Sequence, residues 1–175
     1  GARIAEHLGI GKVAFTGSTA TGRSIVRASA GNLKKLQLEL GGKGPNIVFE
    51  DANIPMAVGG SAFAIFHNQG QACIAGSRLM LHESIADAFL EKFIGLAKSI
   101  RLGDPLSADT EMGPLTSKMH LDRVLAYCDV AVEQGGEILC GGKAPDDPAL
   151  ADGYFVEPTF VRAKATDRVS CEEVF

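Results

Sequence analysis

The sequence predicts an α/β fold built around a parallel sheet. Short apolar runs alternate with longer segments of 3.6-residue periodicity, which is the pattern of strands that alternate with covering helices. Glycines end several of these segments, as is usual at helix ends and tight turns. The 175 residues, 46% of them hydrophobic, are enough to bury one sizeable core.

The predicted elements follow this alternation in order. Up to residue 68 they are helices at 2–8, 19–30 and 53–68 and strands at 12–16, 33–40 and 46–50. Beyond it they are strands at 78–82 and 137–140, helices at 84–100 and 117–132, loops at 104–117 and 141–153, and an extended segment at 155–161. Asn53, Ser84 and Ser117 are the predicted helix N-caps. The break at Gly41-Gly42 is the predicted boundary between two structural units.

The charge balance and the cysteines exclude several classes of protein. Seventeen Lys and Arg against 21 Asp and Glu leave a net charge of −4, whereas nucleic acid or an anionic membrane favours a basic partner. No apolar run approaches the roughly 20 residues that span a bilayer, and no secretory signal is visible. The four cysteines and four histidines do not fall at zinc spacing. We therefore expect no metal, no nucleic-acid or membrane partner, and a reducing, cytoplasmic compartment.

The segment Phe15-Thr-Gly-Ser-Thr-Ala-Thr-Gly22 places a glycine-rich turn between a strand end and a helix start. The N–H groups and the positive dipole end at such a junction suit a phosphate. The spacing is close to the P-loop G-x-x-x-x-G-K-[ST], but Arg23 stands in place of the lysine, and the two are not equivalent donors. The segment is therefore either a phosphate-binding loop or a tight turn without a ligand.

The segment Leu38-Glu-Leu-Gly-Gly-Lys43 places Glu39 at the end of an apolar strand. If the carboxyl group is buried, burial raises its pKa and makes it a usable general base. If the strand alternation directs it to solvent, it is an ordinary exposed carboxylate, and the pattern alone favours this second interpretation.

The segment Asn68-Gln-Gly-Gln-Ala-Cys-Ile-Ala-Gly76 places Cys73 in a turn of small residues after an apolar helix. The small residues leave room for a substrate beside the sulfur, and backbone N–H groups or a nearby base can activate a thiol there. The alternative is a buried structural thiol, which is the interpretation for Cys128 and Cys140. The role of Cys171 stays undecided. His67 has no partner residue at the spacing of a catalytic triad.

Taken in order, these segments resemble motifs of the NAD(P)-dependent aldehyde dehydrogenase superfamily. Phe-Thr-Gly-Ser at 15–18, Leu-Glu-Leu-Gly-Gly-Lys at 38–43 and Gly-Gln-x-Cys at 70–73 resemble its turn, base and nucleophile motifs. Shorter matches at 45–48, 76–78, 103–105, 111–115, 153–159 and 172–175 extend the resemblance over essentially the whole chain. The resemblance implies a doubly wound, Rossmann-like α/β fold, with 1–40 as the C-terminal part of a cofactor-binding domain and 41–175 as a truncated catalytic domain.

The resemblance also implies a covalent mechanism. Cys73 would attack an aldehyde as thiolate, hydride would pass to NAD or NADP, and Glu39 would activate the water that hydrolyses the resulting thioester. The backbone N–H of Cys73 would be one oxyanion donor. The cofactor contacts implied are Gly17, Ser18, Gly22, Leu40, Glu173 and Phe175.

By the same resemblance, a second oxyanion donor and the adenosine-ribose contacts lie upstream of these residues. We therefore expect an excerpt of a longer homodimeric or homotetrameric enzyme, inactive by itself. Phe66 and Ile74 indicate an apolar pocket for an aliphatic, aromatic or muconic-type semialdehyde substrate.

Two other functional classes match parts of the pattern. A P-loop-like nucleotide-binding module on residues 17–24 would need an acidic residue for its metal, and none stands out. A cysteine-dependent acyl hydrolase using Cys73 would need a histidine base. Cofactor dependence separates them, because only the dehydrogenase couples aldehyde oxidation to NAD(P)H formation.

Overall fold

In the computed structural model, which describes residues 1–175, helices and strands alternate along the chain. Gly1–Gly42 and Lys43–Phe175 form two separate units, so the division falls at the predicted glycine break. The strands pair in three two-stranded sheets, and each unit contains one parallel pair. The α/β class is therefore confirmed, while the cofactor and catalytic roles of the two units stay predictions. No helix combines the length and the apolar character that crossing a membrane requires.

The first unit contains helix α1 (Ala2–Glu6), strand β1 (Lys12–Thr16), helix α2 (Thr19–Ala28) and strand β2 (Lys35–Glu39). The two strands are parallel, with Thr16 opposite Glu39 at their carboxyl ends. Ser18 caps α2 through its Oγ, which accepts from the Thr21 N–H at 3.2 Å. The cap begins the helix directly after β1, so the start of α2 and the ends of both strands share one edge of the sheet.

The second unit contains β3 (Pro45–Val48), α3 (Ile54–Phe66), β4 (Arg78–Leu81), α4 (Ala86–Ser99), α5 (Lys118–Glu133), β5 (Glu137–Cys140), β6 (Phe160–Arg162) and α6 (Arg168–Cys171). Strands β3 and β4 are parallel and are connected through α3. Strands β5 and β6 are antiparallel, so the expectation of an all-parallel sheet is wrong here. The reason is the connection: it contains only a short 3₁₀ turn at Pro148–Leu150 and lacks the crossover helix that parallel neighbours need.

The core of the second unit is built on the apolar stripe of α4. Phe89 and Phe93 are 0% and 2% exposed, and their rings stack at 5.9 Å. They pack with Val48 of β3 and with Val58 and Ala62 of α3. Burying a phenylalanine side chain stabilises a fold by about 1.5–3 kcal/mol. The stripe predicted from the 3.6-residue period is therefore the contact between α4 and its sheet.

Two of the three predicted N-caps are confirmed. Asn53 accepts from the Met56 N–H and Ser117 from the His120 N–H, each at 3.2 Å. The prediction for Ser84 is wrong, because the helix is preceded by a 3₁₀ turn at Glu83–Ile85 that contains this serine. The residue that caps the turn is His82, whose Nδ1 accepts from the Ser84 N–H at 3.4 Å. Such 3₁₀ turns are frequent at helix N-termini.

Candidate active site

The glycine-rich turn of the first unit joins the end of β1 to the start of α2. The Gly17 N–H donates to the Glu39 carbonyl oxygen at 3.0 Å and so extends the pairing of the two strands by one residue. Gly17 and Ser18 are exposed. The first N–H groups of a helix have no intrahelical acceptors and form a ready site for an anion. The turn is therefore open to a phosphate group, as one of the two sequence interpretations requires.

Gly22 and Leu40 are in contact beside this turn. Gly22 is buried, and a Cβ added to it would lie 2.7 Å from Leu40 Cδ2. Only a residue without a side chain permits this approach. The structure therefore brings Gly17, Ser18, Gly22 and Leu40, four of the predicted cofactor contacts, to one edge of the first unit.

Glu39 is the last residue of β2 and is exposed. The strand alternates exposed and half-buried positions, with Glu39 at an exposed one. The solvent-side interpretation, which the sequence pattern alone favours, therefore describes this chain. Glu39 as the base stays a prediction, since exposure leaves the carboxylate accessible to water.

Cys73 follows a run of left-handed backbone. Asn68, Gln69 and Gly70 have φ angles of 51°, 58° and 74°. Left-handed non-glycine residues cost on the order of 1–3 kcal/mol each and persist only where their surroundings hold them. Here Asn68 Nδ2 donates to the Gln71 carbonyl at 2.9 Å, and the Gln71 N–H donates to the Asn68 carbonyl at 3.0 Å.

The thiol of Cys73 is exposed at the centre of the next turn. This turn is closed by the Ala75 N–H, which donates to the Ala72 carbonyl at 3.1 Å. The Cys73 N–H donates to no backbone carbonyl of the chain. Residue 73 therefore presents both a sulfur and an adjacent N–H donor at an accessible position.

The other cysteines have different surroundings. Cys128 and Cys140 are buried, which confirms the structural interpretation, and burial raises the pKa of both thiols. Cys171 is exposed, and its Sγ donates to the Ala165 carbonyl at 3.2 Å. Exposure therefore separates Cys73 and Cys171 from the two buried thiols.

The remaining predicted contacts, Glu173 and Phe175, lie on a segment held by α5. Arg123 donates from Nη2 to the Glu173 carbonyl at 2.6 Å and from Nε to the Val174 carbonyl at 3.2 Å. His120 Nε2 lies 2.7 Å from the Phe175 carbonyl oxygen. These bonds fix the main chain on either side of Val174.

Glu172 anchors the start of the same segment. The Tyr127 hydroxyl donates to Glu172 Oε2 at 2.6 Å, and Arg168 donates to both carboxylate oxygens at 2.9 Å. The Arg168 hydrogen bonds, followed by that of Tyr127, lower the pKa of Glu172 to about 2. The sequence analysis did not single out Tyr127. His120, Arg123 and Tyr127 have the spacing i, i+3, i+7, which places all three on one helix face and could have indicated the role of Tyr127.

Lys43 lies within electrostatic range of Glu173. Burial, and then the positive charge of Arg78, lower the pKa of Lys43, while the negative charge of Glu173 opposes this shift. Arg78 Nε also donates to the Lys43 carbonyl at 3.0 Å. The lysine of the Leu-Glu-Leu-Gly-Gly-Lys motif is thus half-buried and lies near the negative charge of Glu173.

The two residues expected at an apolar pocket have different surroundings. Phe66 is half-buried and packs on Phe93, with ring centroids 5.9 Å apart, against the core. Its place in a substrate pocket stays a prediction. Ile74 is 89% exposed, as expected for a residue beside an open site. Phe63, on another face of α3, is exposed and lies 4.9 Å from the ring of His67.

No group of three or more His, Cys, Asp or Glu side chains is placed to hold a metal ion.

Comparison with known proteins gives one consistent family. The model of the family described as "Aldehyde dehydrogenase family" matches residues 1–175. Betaine aldehyde dehydrogenase of Bacillus subtilis is 44% identical over 180 residues, which cover 100% of this chain and 37% of that protein. Human 4-trimethylaminobutyraldehyde dehydrogenase is 44% identical over 176 residues, covering 98% and 35%.

Solved structures agree with these relatives. PnpE from Pseudomonas sp. WBC-3 has a TM-score of 0.98 at 72% identity and covers 99% of this chain and 36% of its own. PnpE has also been solved in complex with nicotinamide adenine dinucleotide, and that structure has a TM-score of 0.97. The chain therefore spans about a third of the length of the proteins that it matches.

Proposed function

The chain belongs to the aldehyde dehydrogenase family, and from this premise we propose that the protein carrying it oxidises an aldehyde to a carboxylic acid with NAD or NADP. The observation that carries the proposal is the exposed thiol of Cys73, which lies in a turn of small residues next to a main-chain N–H without a backbone acceptor. Cys128 and Cys140 are buried and have raised thiol pKa values, so neither fits the role of nucleophile.

In the first step the Cys73 thiolate attacks the aldehyde carbon. A C–S bond forms, the carbonyl π electrons move to oxygen, and the product is a thiohemiacetal. The Cys73 N–H donates to the developing oxyanion, and a donor of this kind is worth about 10²–10³-fold in rate. The left-handed run before Cys73 fixes the direction of this N–H.

The residues of the first unit fit a dinucleotide cofactor. The exposed start of α2, with Gly17 and Ser18 before it, presents main-chain donors suited to a diphosphate. Gly22 and Leu40 shape the adjacent surface, and Glu173 with Phe175 would bind the nicotinamide end. When bound, the nicotinamide supplies the hydride acceptor that turns the thiohemiacetal into a thioester. The complex of PnpE with nicotinamide adenine dinucleotide supports a dinucleotide as the cofactor.

Glu39 would serve the second half of the reaction. Its carboxylate takes a proton from water, the resulting hydroxide adds to the thioester carbon, and the C–S bond breaks. Cys73 leaves as thiolate, and the acid is released. An exposed carboxylate at a strand end suits this role because water reaches it directly.

The names of two relatives suggest the first substrates to test. Betaine aldehyde and 4-trimethylaminobutyraldehyde both have a trimethylammonium group. The experiment offers these two, and neutral aliphatic and aromatic aldehydes, to the full-length protein with NAD and with NADP, and follows NAD(P)H absorbance. Aldehyde-dependent NAD(P)H formation that disappears in Cys73→Ser is the expected result. Ester hydrolysis through Cys73 without any NAD(P)H formation would instead indicate an acyl hydrolase.

A further inference from the structure

The side chain of Gln71 ties the Cys73 turn to a loop more than 40 residues away. Gln71 Oε1 accepts from the Thr116 N–H at 3.0 Å. Gln71 Nε2 donates to Gln69 Oε1 at 3.1 Å, so the two carboxamides are joined. The turn is thus bound to the segment Gly113–Thr116, called the brace below.

The brace is itself held firmly. Leu115 is 4% exposed, and its N–H donates to the Tyr154 carbonyl at 2.9 Å. Gly113 is buried, and a Cβ there would lie 3.1 Å from Pro105 Cγ. Next to it, the Gly103 N–H donates to the Met112 carbonyl at 3.2 Å. The short motifs at 103–105, 111–115 and 153–159, to which sequence analysis gave no role, therefore meet in one structure behind the Cys73 turn.

We propose that Gln71 is a positioning residue that fixes the orientation of Cys73. Left-handed backbone at Asn68 and Gln69 needs external support, and the brace provides it through Gln71, whose side chain also bonds to that of Gln69. Gln71 lies two residues before Cys73, so a shift at Gln71 moves both the Cys73 sulfur and its N–H. This inference rests on the proposed function of Cys73 as the nucleophile.

The test replaces Gln71 by Met in the full-length enzyme, which keeps the length of the side chain and removes the acceptor for Thr116. We expect kcat to fall by about 10- to 100-fold, the effect of a misplacement of about 1 Å. The KM values for aldehyde and cofactor should change by less than about threefold, because transition-state geometry is lost and binding is kept. Alkylation of Cys73 by iodoacetamide should keep its pH profile, since the thiol stays exposed.

Gln134→Met is the matched control. Gln134 Oε1 accepts from the Arg168 N–H at 2.9 Å, which is the same type of bond at the end of α5. The Tm of both variants should fall by a similar amount. When both are assayed well below their Tm, only Gln71→Met should have a reduced kcat. Gln71→Glu, which keeps an acceptor for Thr116, should recover most of the kcat.

Amide hydrogen exchange tests the contact without any variant. Thr116 is exposed, so slow exchange of its N–H in the wild-type protein is expected only if Gln71 holds it. Fast exchange at Thr116, or a kcat for Gln71→Met within about twofold of wild type, would overturn the proposal. The proposed function fails by a separate result, namely aldehyde oxidation that survives in Cys73→Ser.

Discussion

Leu40 packs directly against Gly22, at a distance that leaves no room for a Cβ on the glycine. An added Cβ would lie 2.7 Å from Leu40 Cδ2. The contact joins α2 to the residue that follows β2, and both partners are proposed to contact the cofactor. The shape of this surface therefore depends on the absence of one methyl group.

Replacing Gly22 by Ala should displace the Leu40 side chain and weaken cofactor binding. Leu40 Cδ2 is the end of a flexible side chain that can move aside, and Ala is favoured over Gly inside a helix, so Tm should change little. The displaced Leu40 alters the proposed cofactor surface, so we expect a severalfold rise in the KM for NAD(P). Gly95→Ala in α4 is the control, since an added Cβ there meets nothing within 4 Å and should stabilise the helix by roughly 0.5–1 kcal/mol. An unchanged cofactor KM in Gly22→Ala would contradict the proposed role of this contact.

Cys73→Ser should reduce aldehyde oxidation by several orders of magnitude, because a serine hydroxyl is scarcely ionised there. Cys171→Ser is the control, since that thiol is also exposed. Iodoacetamide should label Cys73 before Cys128 and Cys140, whose raised pKa values leave less thiolate at any given pH. Peptide mass spectrometry measures the order; inactivation with Cys73 unmodified would reverse the assignment.

Glu39→Gln should slow thioester hydrolysis more than hydride transfer. The amide cannot take a proton from water, so the acyl-enzyme should accumulate. Stopped-flow measurement should then show a burst of NAD(P)H followed by a slow steady state. Glu6→Gln, at another exposed position of the first unit, should behave like wild type. Loss of the burst with normal thioester hydrolysis would assign Glu39 to the first half of the reaction instead.

Glu172 should make stability depend on pH in the acid range. Hydrogen bonds from Arg168 and Tyr127 lower its folded-state pKa to about 2, below the ordinary value of 4.5. The ionised form is therefore favoured by folding, so its contribution is present above pH 4.5 and is lost as pH falls towards 2. Denaturant midpoints of wild type and Glu172→Gln should differ at neutral pH and converge in that window.

A control for this effect lies on α5, the helix that contains Tyr127. Asp122→Asn breaks the exposed pair with Lys118, at 2.7 Å, and exposed pairs of this kind contribute little. Its midpoint should therefore stay closer to wild type at neutral pH. A constant difference between wild type and Glu172→Gln from neutral pH down to pH 2 would contradict the proposed linkage.

The 175-residue chain produced by itself should not oxidise aldehydes at an appreciable rate. It spans only 35–37% of its curated relatives, and the apolar side chains of Ile47, Phe49 and Met80 are exposed on or beside β3 and β4. Losing one oxyanion donor alone costs about 10²–10³-fold. The measurement compares the rate of NAD(P)H production by the purified 175-residue chain with that of the full-length protein. A rate for the chain above about a tenth of the full-length rate would contradict the expectation.

The sequence by itself determined the local features of this protein. The order of helices and strands, the caps at Asn53 and Ser117, and the buried stripe of α4 all follow from side chains within a turn or two of one another. The break near Gly42 also belongs to this class, because paired glycines interrupt regular structure locally. The ordered motifs were specific enough to identify the family, since each is a short contiguous pattern.

Only the tertiary structure decided what lies around those motifs. The antiparallel pairing of β5 with β6 joins residues that local periodicity does not relate. So do the bonds from Gln71 to Thr116 and from Arg123 to Glu173. Bonds across 45 or 50 residues form only after helices and loops have packed, so no local pattern encodes them. Periodicity depends on neighbours along one element, whereas the support of a reactive residue depends on which distant elements pack behind it.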